Sequence, residues 1–185
     1  MDASVIAALA KWPNVPAVFG WLRLDRRGNW LIRDDRLHHP ALIGFINRNY
    51  ACDEQGRHFF QNGPQRVYAG LDYTPWVLRL LDGALAAQTG ETVVADEALL
   101  DEEGNMLIAW SGKVGLIDDR DLAAMLGWLQ HADGTPADDS AVLRAIDGGE
   151  TNLSLELYGR RIPVASIRRK EVAARFGFDP TPLPN

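Results

Sequence analysis

The spacing between hydrophobic residues changes several times along the chain, and each spacing predicts a secondary-structure element. Near the N-terminus, Val5, Ile6, Leu9 and Trp12 recur at the spacing of a helix. This pattern predicts a short helix with one apolar face. We expect that face to pack against a sheet formed by later residues.

The next two hydrophobic runs flank a tight turn. WLRL at 21–24 and WLI at 30–32 surround Asp25-Arg26-Arg27-Gly28. Asp at the first turn position and Gly at the last favour a type I turn closed by a glycine bulge. The segment is therefore predicted to be a β-hairpin.

The same hairpin signal returns later in the chain. LDRRGNWLI at 24–32 and LDEEGNMLI at 100–108 match at Leu, Asp, Gly, Asn, Leu and Ile. A match of this length indicates an internal structural repeat. The alternative is two unrelated hairpins that use common turn chemistry.

A helical pattern follows each of these hairpins. Pro40 suits the first turn of a helix over 40–49, and Asp118 or Asp119 suits the cap of a helix that includes Leu122 and Met125. The order is hairpin and then helix in both halves. We predict an α+β fold of two hairpin-plus-helix modules, with antiparallel sheet and flanking helices. The modules are residues 1–80, with the lead-in helix, and residues 81–185, packed as one compact body.

The remaining patterns place strands between and after the helices. RHFFQ and RVYAGLDY read as strands joined at 62–64, and two further strands are expected around Thr89-Gly90, with 83–88 open to a helical alternative. Tyr158-Gly159 predicts another hairpin. Ser166 is expected to cap a last helix, and the tail after Gly177 is expected to be extended and at most partly ordered.

Composition and charge narrow the class of protein. The 185 residues are 46% hydrophobic and 24% charged, which is ordinary for a globular protein. A net charge of −6 argues against a nucleic-acid-binding surface over the whole molecule. No stretch approaches the roughly 18 apolar residues that span a membrane. The single Cys52 and the acidic Asp2, where a signal peptide would be basic, predict a cytoplasmic protein.

Standard catalytic and metal-binding motifs are absent from the sequence. Ser111 lacks the G-x-S-x-G context of a hydrolase nucleophile, and Gly112-Lys113 lacks the earlier Gly of a phosphate-binding loop. His38 and His39 are the best metal candidates, but neighbouring side chains point in different directions. We therefore predict no catalytic residue, no metal and no cofactor. Capping and packing at the start of the following helix is the expected role of the two histidines.

Polar side chains able to hold a ligand cluster around QNGPQR at 61–66. Amide and guanidinium groups make directional hydrogen bonds, and Arg can hold a carboxylate or phosphate through two of them. Aromatic neighbours would supply an apolar wall. The candidate site for a small polar or anionic ligand comprises Arg48, Tyr50, Gln61, Asn62, Gln65, Arg66, Tyr68 and Trp76. In the alternative, these amides satisfy backbone groups between strands.

A basic cluster near the C-terminus is the other surface candidate. It contains Arg168, Arg169, Lys170 and Arg175 on the last predicted helix. The segment is similar to the first half of a helix-turn-helix, but the residues after it cannot form a recognition helix. We therefore expect a protein partner at this helix and no nucleic acid.

Four segments carry a resemblance to known families. GWLRLDRRGNW, HPALIGFINRNY, DEQGRHFFQNGPQRVY and DYTPWV resemble an uncharacterised bacterial family of unknown function. They are more distantly similar to a second family of unknown function, in which an acid stands at the position of Gln65. The resemblance implies two related β-rich modules in a cytoplasmic bacterial protein, and no established reaction.

These observations together favour a non-catalytic protein that binds a small ligand or has a regulatory or signalling role. One alternative is a protein-interaction or structural module that uses the basic last helix. The second alternative is an enzyme without a standard motif.

Overall fold

The structure, a computed structural model, describes residues 1–149 and 152–184. These residues form two compact units. Unit 1 contains Met1–Pro75, Gln88–Glu91 and residues 177–184. Unit 2 contains the described residues of Trp76–Ala87 and Thr92–Phe176.

Unit 1 is one six-stranded sheet with two helices. Its strands lie in the order β3-β2-β1-β6-β5-β4. The elements are α1 (Ala3–Lys11), β1 (Val18–Leu24), β2 (Trp30–Ile32), β3 (Asp35–Arg36), α2 (Pro40–Arg48), β4 (Tyr50–Cys52), β5 (His58–Asn62) and β6 (Gln65–Leu71).

Unit 2 is an eight-stranded sheet with three helices. Its strands lie in the order β12-β13-β14-β9-β10-β11-β7-β8. The elements are β7 (Trp76–Leu81), β8 (Ala84–Ala87), β9 (Glu97–Leu100), β10 (Met106–Trp110), β11 (Lys113–Ile117), α3 (Asp119–Leu126), β12 (Leu129–Gln130), α4 (Asp139–Ile146), β13 (Ser154–Leu157), β14 (Arg160–Ser166) and α5 (Arg169–Phe176).

Six strands of each unit follow the same path. In unit 1, β1 pairs antiparallel with β2 and parallel with β6. In unit 2, β9 pairs antiparallel with β10 and parallel with β14. The order β3-β2-β1-β6-β5-β4 in unit 1 therefore corresponds to β11-β10-β9-β14-β13-β12 in unit 2, with β7 and β8 added beyond β11. The predicted internal repeat is confirmed as two similar modules.

The repeated sequence motif forms the same turn in both units. The Asp25 carboxylate accepts hydrogen bonds from the backbone N–H groups of Arg27 and Asn29, both at 2.8 Å. The Asp101 carboxylate accepts from Glu103 and Asn105 at 3.0 and 2.9 Å. Each Asp thereby satisfies backbone donors that the tight turn leaves outside the strand ladder.

The predicted α+β class with two β-rich modules is confirmed, and both sheets are mixed. Each sheet contains a parallel pair, because the chain leaves the first strand and returns beside it only after the helix and the second hairpin. A parallel neighbour requires such a crossover connection. The prediction of antiparallel sheet therefore describes the hairpins and not the central strand pair.

The boundary between the units lies earlier than residue 80. The strand β7 belongs to unit 2, because it pairs parallel with β11 and antiparallel with β8. Its hairpin turn is Asp82-Gly83, with φ of 49° and 77°, and not Thr89-Gly90. Residues 84–87 are a strand and not a helix, since they pair antiparallel with β7.

Residues 177–184 form what we call the C-terminal strap of unit 1. The N–H of Asp179 donates to Gly56 O at 3.0 Å, and the N–H of Leu71 donates to Pro180 O at 2.8 Å. Phe178 is buried. The strap is thus held by main-chain bonds and an apolar anchor, and it is more ordered than the sequence predicts. No helix within residues 1–149 and 152–184 has the length and apolar character needed to cross a membrane.

Candidate ligand-binding cavity of unit 1

A cavity of about 500 Å³ lies between α2 and one face of the unit 1 sheet. The helix contributes Leu42, Phe45 and Ile46 to its lining. These residues share one face of α2, because positions three and four apart on a helix are neighbours. Pro40 and His39 fix the start of the helix, where His39 Nδ1 accepts from the N–H of Leu42 at 3.4 Å. His39 therefore has the capping role that the sequence predicts.

The sheet side of the cavity is also apolar. It is formed by Leu22 of β1, Ile32 of β2, Phe60 of β5 and Val67 of β6. Phe60 and Val67 stand opposite each other in the β5–β6 ladder, so their side chains lie on the same face. The rim includes the exposed Trp21. The cavity thus presents apolar surface that the fold itself leaves open.

Two amides are the polar part of the lining. Asn62 and Gln65 are opposite each other on either side of the Gly63-Pro64 turn. Gly63 has φ of 58°, and proline fits the next position because that residue donates no ladder bond in a two-residue turn. The Gln65 side chain donates from Nε2 to Pro16 O at 3.0 Å. The turn therefore places both amides at one end of the apolar cavity.

The other polar residues of the QNGPQR cluster lie on the opposite face of the hairpin. Gln61 is buried and donates from Nε2 to Gly63 O at 2.9 Å. The Arg66 guanidinium stands 4.6 Å from the centre of the Phe59 ring. The Tyr68 hydroxyl donates to Asp53 Oδ2 at 2.9 Å. Alternation along the strands separates these three from the cavity.

The remaining three candidate residues, Arg48, Tyr50 and Trp76, lie outside the cavity lining. Arg48 forms an ion pair with Asp2 at 3.3 Å. The Tyr50 hydroxyl donates to Pro75 O at 3.2 Å, and burial raises the pKa of Tyr50 well above its ordinary value. Trp76 belongs to unit 2, where its ring packs edge-on against Trp110 at 5.7 Å. Of the eight candidates, the cavity lining includes Asn62 and Gln65.

Comparison with known proteins gives a family and a fold. A family model with the description "DUF2944: Protein of unknown function (DUF2946)" matches residues 1–183. The chain belongs to this family. No curated protein matches the sequence of this DUF2944 protein. The sequence segments resemble families of unknown function, and these comparisons confirm that resemblance.

A solved structure shares the fold of the DUF2944 protein. It is the crystal structure of a DUF1285 family protein from Silicibacter pomeroyi DSS-3, with 15% sequence identity and a TM-score of 0.53. The match covers 93% of this chain and 98% of the other. At this identity the likeness concerns the fold alone.

Titratable groups are absent from the lining of the cavity in the described residues. The nearest one on the same strand is His58, two residues before Phe60, and burial lowers its pKa to about 4. His58 is 3% exposed, so it remains neutral at physiological pH. In the part of the chain that the structure describes, no three His, Cys, Asp or Glu side chains are grouped to hold a metal ion. The chemistry available at the cavity is apolar contact and hydrogen bonding.

The four basic residues predicted to bind a partner lie on α5 or directly before it, in unit 2 of the DUF2944 protein. Arg169 forms an ion pair with Glu103, and Arg175 forms one with Glu97 at 2.5 Å. Glu102 accepts from the N–H of Arg169 at 2.8 Å and so caps the helix. Ser166 does not cap it, because its hydroxyl donates to backbone carbonyl groups instead. Two of the four cations on the predicted partner surface, Arg169 and Arg175, are therefore already paired with glutamates of the β9–β10 hairpin. The docking role of Arg168 and Lys170 stays a prediction.

The sequence points to the amides of the cavity but not to its apolar walls. Leu22, Phe45 and Val67 carry the alternating or helical pattern that any core residue carries. Trp21 stands out only in the structure, where it is 47% exposed on a strand.

Proposed function

We propose that the DUF2944 protein is a binding protein that takes an apolar small molecule into the cavity of unit 1. The observation that carries the proposal is the cavity between α2 and the sheet, with apolar walls and two amides at one end. Its volume of about 500 Å³ is within the range of small-molecule sites. The exposed single Cys52 suits a reducing compartment, and we propose the cytoplasm as its location.

Comparison of the two units supports this proposal. Phe60 and Val67 of unit 1 correspond in the strand ladders to Leu155 and Ile162 of unit 2. In unit 2 these two residues share a core with Ala141 and Ala145 of α4, a helix inserted between β12 and β13. At the same point in unit 1 the chain has only a short turn between β4 and β5. A sheet face that a helix covers in one module is therefore open in the other.

The lining supports an apolar ligand. An anionic ligand would need a cation at the site, and the described lining contains none. The guanidinium of Arg33 stands over the ring of the rim residue Trp21, 3.6 Å from its centre, and is not itself part of the lining. Trp21, Ile32 and Leu42 line the cavity and are each exposed by more than a third. Covering these side chains would release water from apolar surface, which favours binding of an apolar molecule. The ligand body is therefore proposed to be apolar.

Binding of N-phenyl-1-naphthylamine, a neutral apolar dye whose fluorescence rises in dry sites, tests the proposal. Leu42→Trp fills the cavity from its exposed side, and we expect it to weaken dye binding by about tenfold or more, since about 1.4 kcal/mol is a factor of ten. Leu81→Trp makes the same change at an exposed position of β7 and should leave binding unchanged. Absence of dye binding, or equal loss in both variants with intact folding, would overturn the proposal.

A further inference from the structure

We infer that the natural ligand is an uncharged amphiphile, with an apolar chain in the cavity and a hydroxyl or amide group held by Gln65 and Asn62. This inference rests on the proposed function and names the substrate class of the same site. It is carried by the orientation of one amide and by the charges around the cavity.

The orientation of the Gln65 amide is fixed by a backbone carbonyl. Pro16 O can only accept a hydrogen bond, so the Gln65 atom that lies 3.0 Å from it must be the donor Nε2. The amide oxygen is then the acceptor of this side chain that remains for another molecule. Gln65 lines the cavity, so a ligand whose polar end donates a hydrogen bond would be recognised.

Asn62 supplies the second half of the recognition. It is the direct cross-strand neighbour of Gln65, and the two Cβ atoms of such a pair are about 5 Å apart. Asn62 is exposed, so its amide keeps both donor and acceptor capacity at the rim of the cavity. A hydroxyl or a primary amide can donate to one of these side chains and accept from the other. The apolar chain of the ligand would then extend toward Phe60 and Val67.

A charged head group would lack a partner of opposite charge at this end of the cavity. A carboxylate needs a cation or several N–H donors to offset its desolvation, and no cationic side chain is among the described lining residues. Arg66 lies over the Phe59 ring on the other face of the hairpin, and Arg48 pairs with Asp2. An ammonium head would equally lack an acidic partner among the lining residues. Neutral heads are therefore favoured over both ionic forms.

Displacement of bound N-phenyl-1-naphthylamine tests this inference. The competitors are four compounds that have the same length of carbon chain and differ in their head group. We expect 1-decanol and decanamide to displace the dye at concentrations about tenfold lower than decanoate or decylamine, because an unpaired charge is costly to bury beside apolar walls. Equal displacement by decanoate or by decylamine would overturn the inference, while dye binding itself would still support the proposed function. If neither the dye nor decanol binds, the proposed function and the inferred ligand class are both contradicted.

Variants at the amides provide the second arm of this experiment. Gln65→Leu should raise the ratio of the decanol displacement constant to the dye dissociation constant by about fivefold, since one neutral hydrogen bond contributes about 1 kcal/mol. Gln55→Leu makes the same change on the exposed turn between β4 and β5 and should leave this ratio unchanged. An unchanged ratio in Gln65→Leu, with thermal unfolding like that of the wild type, would contradict the assigned role of Gln65.

Discussion

A Cβ atom at Gly56 would stand 2.1 Å from the carbonyl oxygen of Gly177. Both residues belong to unit 1, although they are far apart in the sequence. The β4–β5 turn and the C-terminal strap therefore approach each other through bare backbone. This approach lets Asp179 donate to Gly56 O and continue along Arg57 as an isolated parallel bridge.

Replacement of Gly56 by alanine is expected to be strongly destabilising. The φ of 77° disfavours any side chain, and the contact with Gly177 leaves no room for a methyl group. We expect a loss of more than about 3 kcal/mol in the free energy of unfolding, measured by denaturant titration. Gly20→Ala is the matched control, since Gly20 has φ of 71° and open space around it. Equal losses in the two variants would show that backbone strain alone explains the effect.

The strap is expected to be anchored by one aromatic side chain. Phe178→Ala should lower the free energy of unfolding by about 3 kcal/mol, because it removes a buried aromatic group. Leu183→Ala, at a strap residue that is 72% exposed, should change it by less than about 0.5 kcal/mol. Thermal and denaturant unfolding of both variants measure the difference. A small effect of Phe178→Ala would mean that main-chain hydrogen bonds alone hold the strap.

Local chemistry made part of the fold predictable. The Asp25 and Asp101 turns carry their own side-chain caps, so the sequence motif determines the hairpin without help from distant residues. The strand at 84–87 shows the opposite case. Its Ala-Leu-Ala-Ala composition favours a helix, and only pairing with β7 makes it a strand. The Asp82-Gly83 turn signal was present in the sequence and points to the correct hairpin.

The candidate site was predictable only in its polar part. Nearness in sequence placed Gln61, Asn62, Gln65 and Arg66 in one cluster, whereas a hairpin sends alternate residues to opposite faces. The strand period therefore separates Asn62 and Gln65 from the other two. The apolar walls could not be recognised, because the open face depends on the absence from unit 1 of a helix equivalent to α4. That difference becomes visible only when the two modules are compared in three dimensions.

Stability is expected to depend on pH through His58. Burial lowers its pKa from 6.5 to about 4, so the unfolded chain binds a proton more readily than the folded protein. The contribution of neutral His58 is present above pH 6.5 and is lost as pH falls from 6.5 to about 4. This difference corresponds to about 3 kcal/mol. His58→Phe should flatten the wild-type decrease in this window, measured by denaturant titration at several pH values.

The control for this experiment is the same change at an exposed histidine. His38→Phe, at an exposed position, should retain the wild-type pH dependence between pH 6.5 and 4, because it leaves His58 in place. A decrease in stability that persists unchanged in His58→Phe would assign the pH dependence to other groups, such as the carboxylates of the turns.

The two equivalent turn aspartates are expected to differ in their contribution to stability. Asp101 is fully buried, whereas Asp25 is only partly buried, although both accept the same pair of backbone hydrogen bonds. Removing the fully buried Asp101 side chain leaves a void as well as two unpaired backbone N–H groups, so Asp101→Ala should cost about 3 kcal/mol. Asp25→Ala should cost about 1 kcal/mol, because water can replace the lost carboxylate. Denaturant unfolding of both variants compares the costs, and an equal or reversed order would contradict the argument from burial.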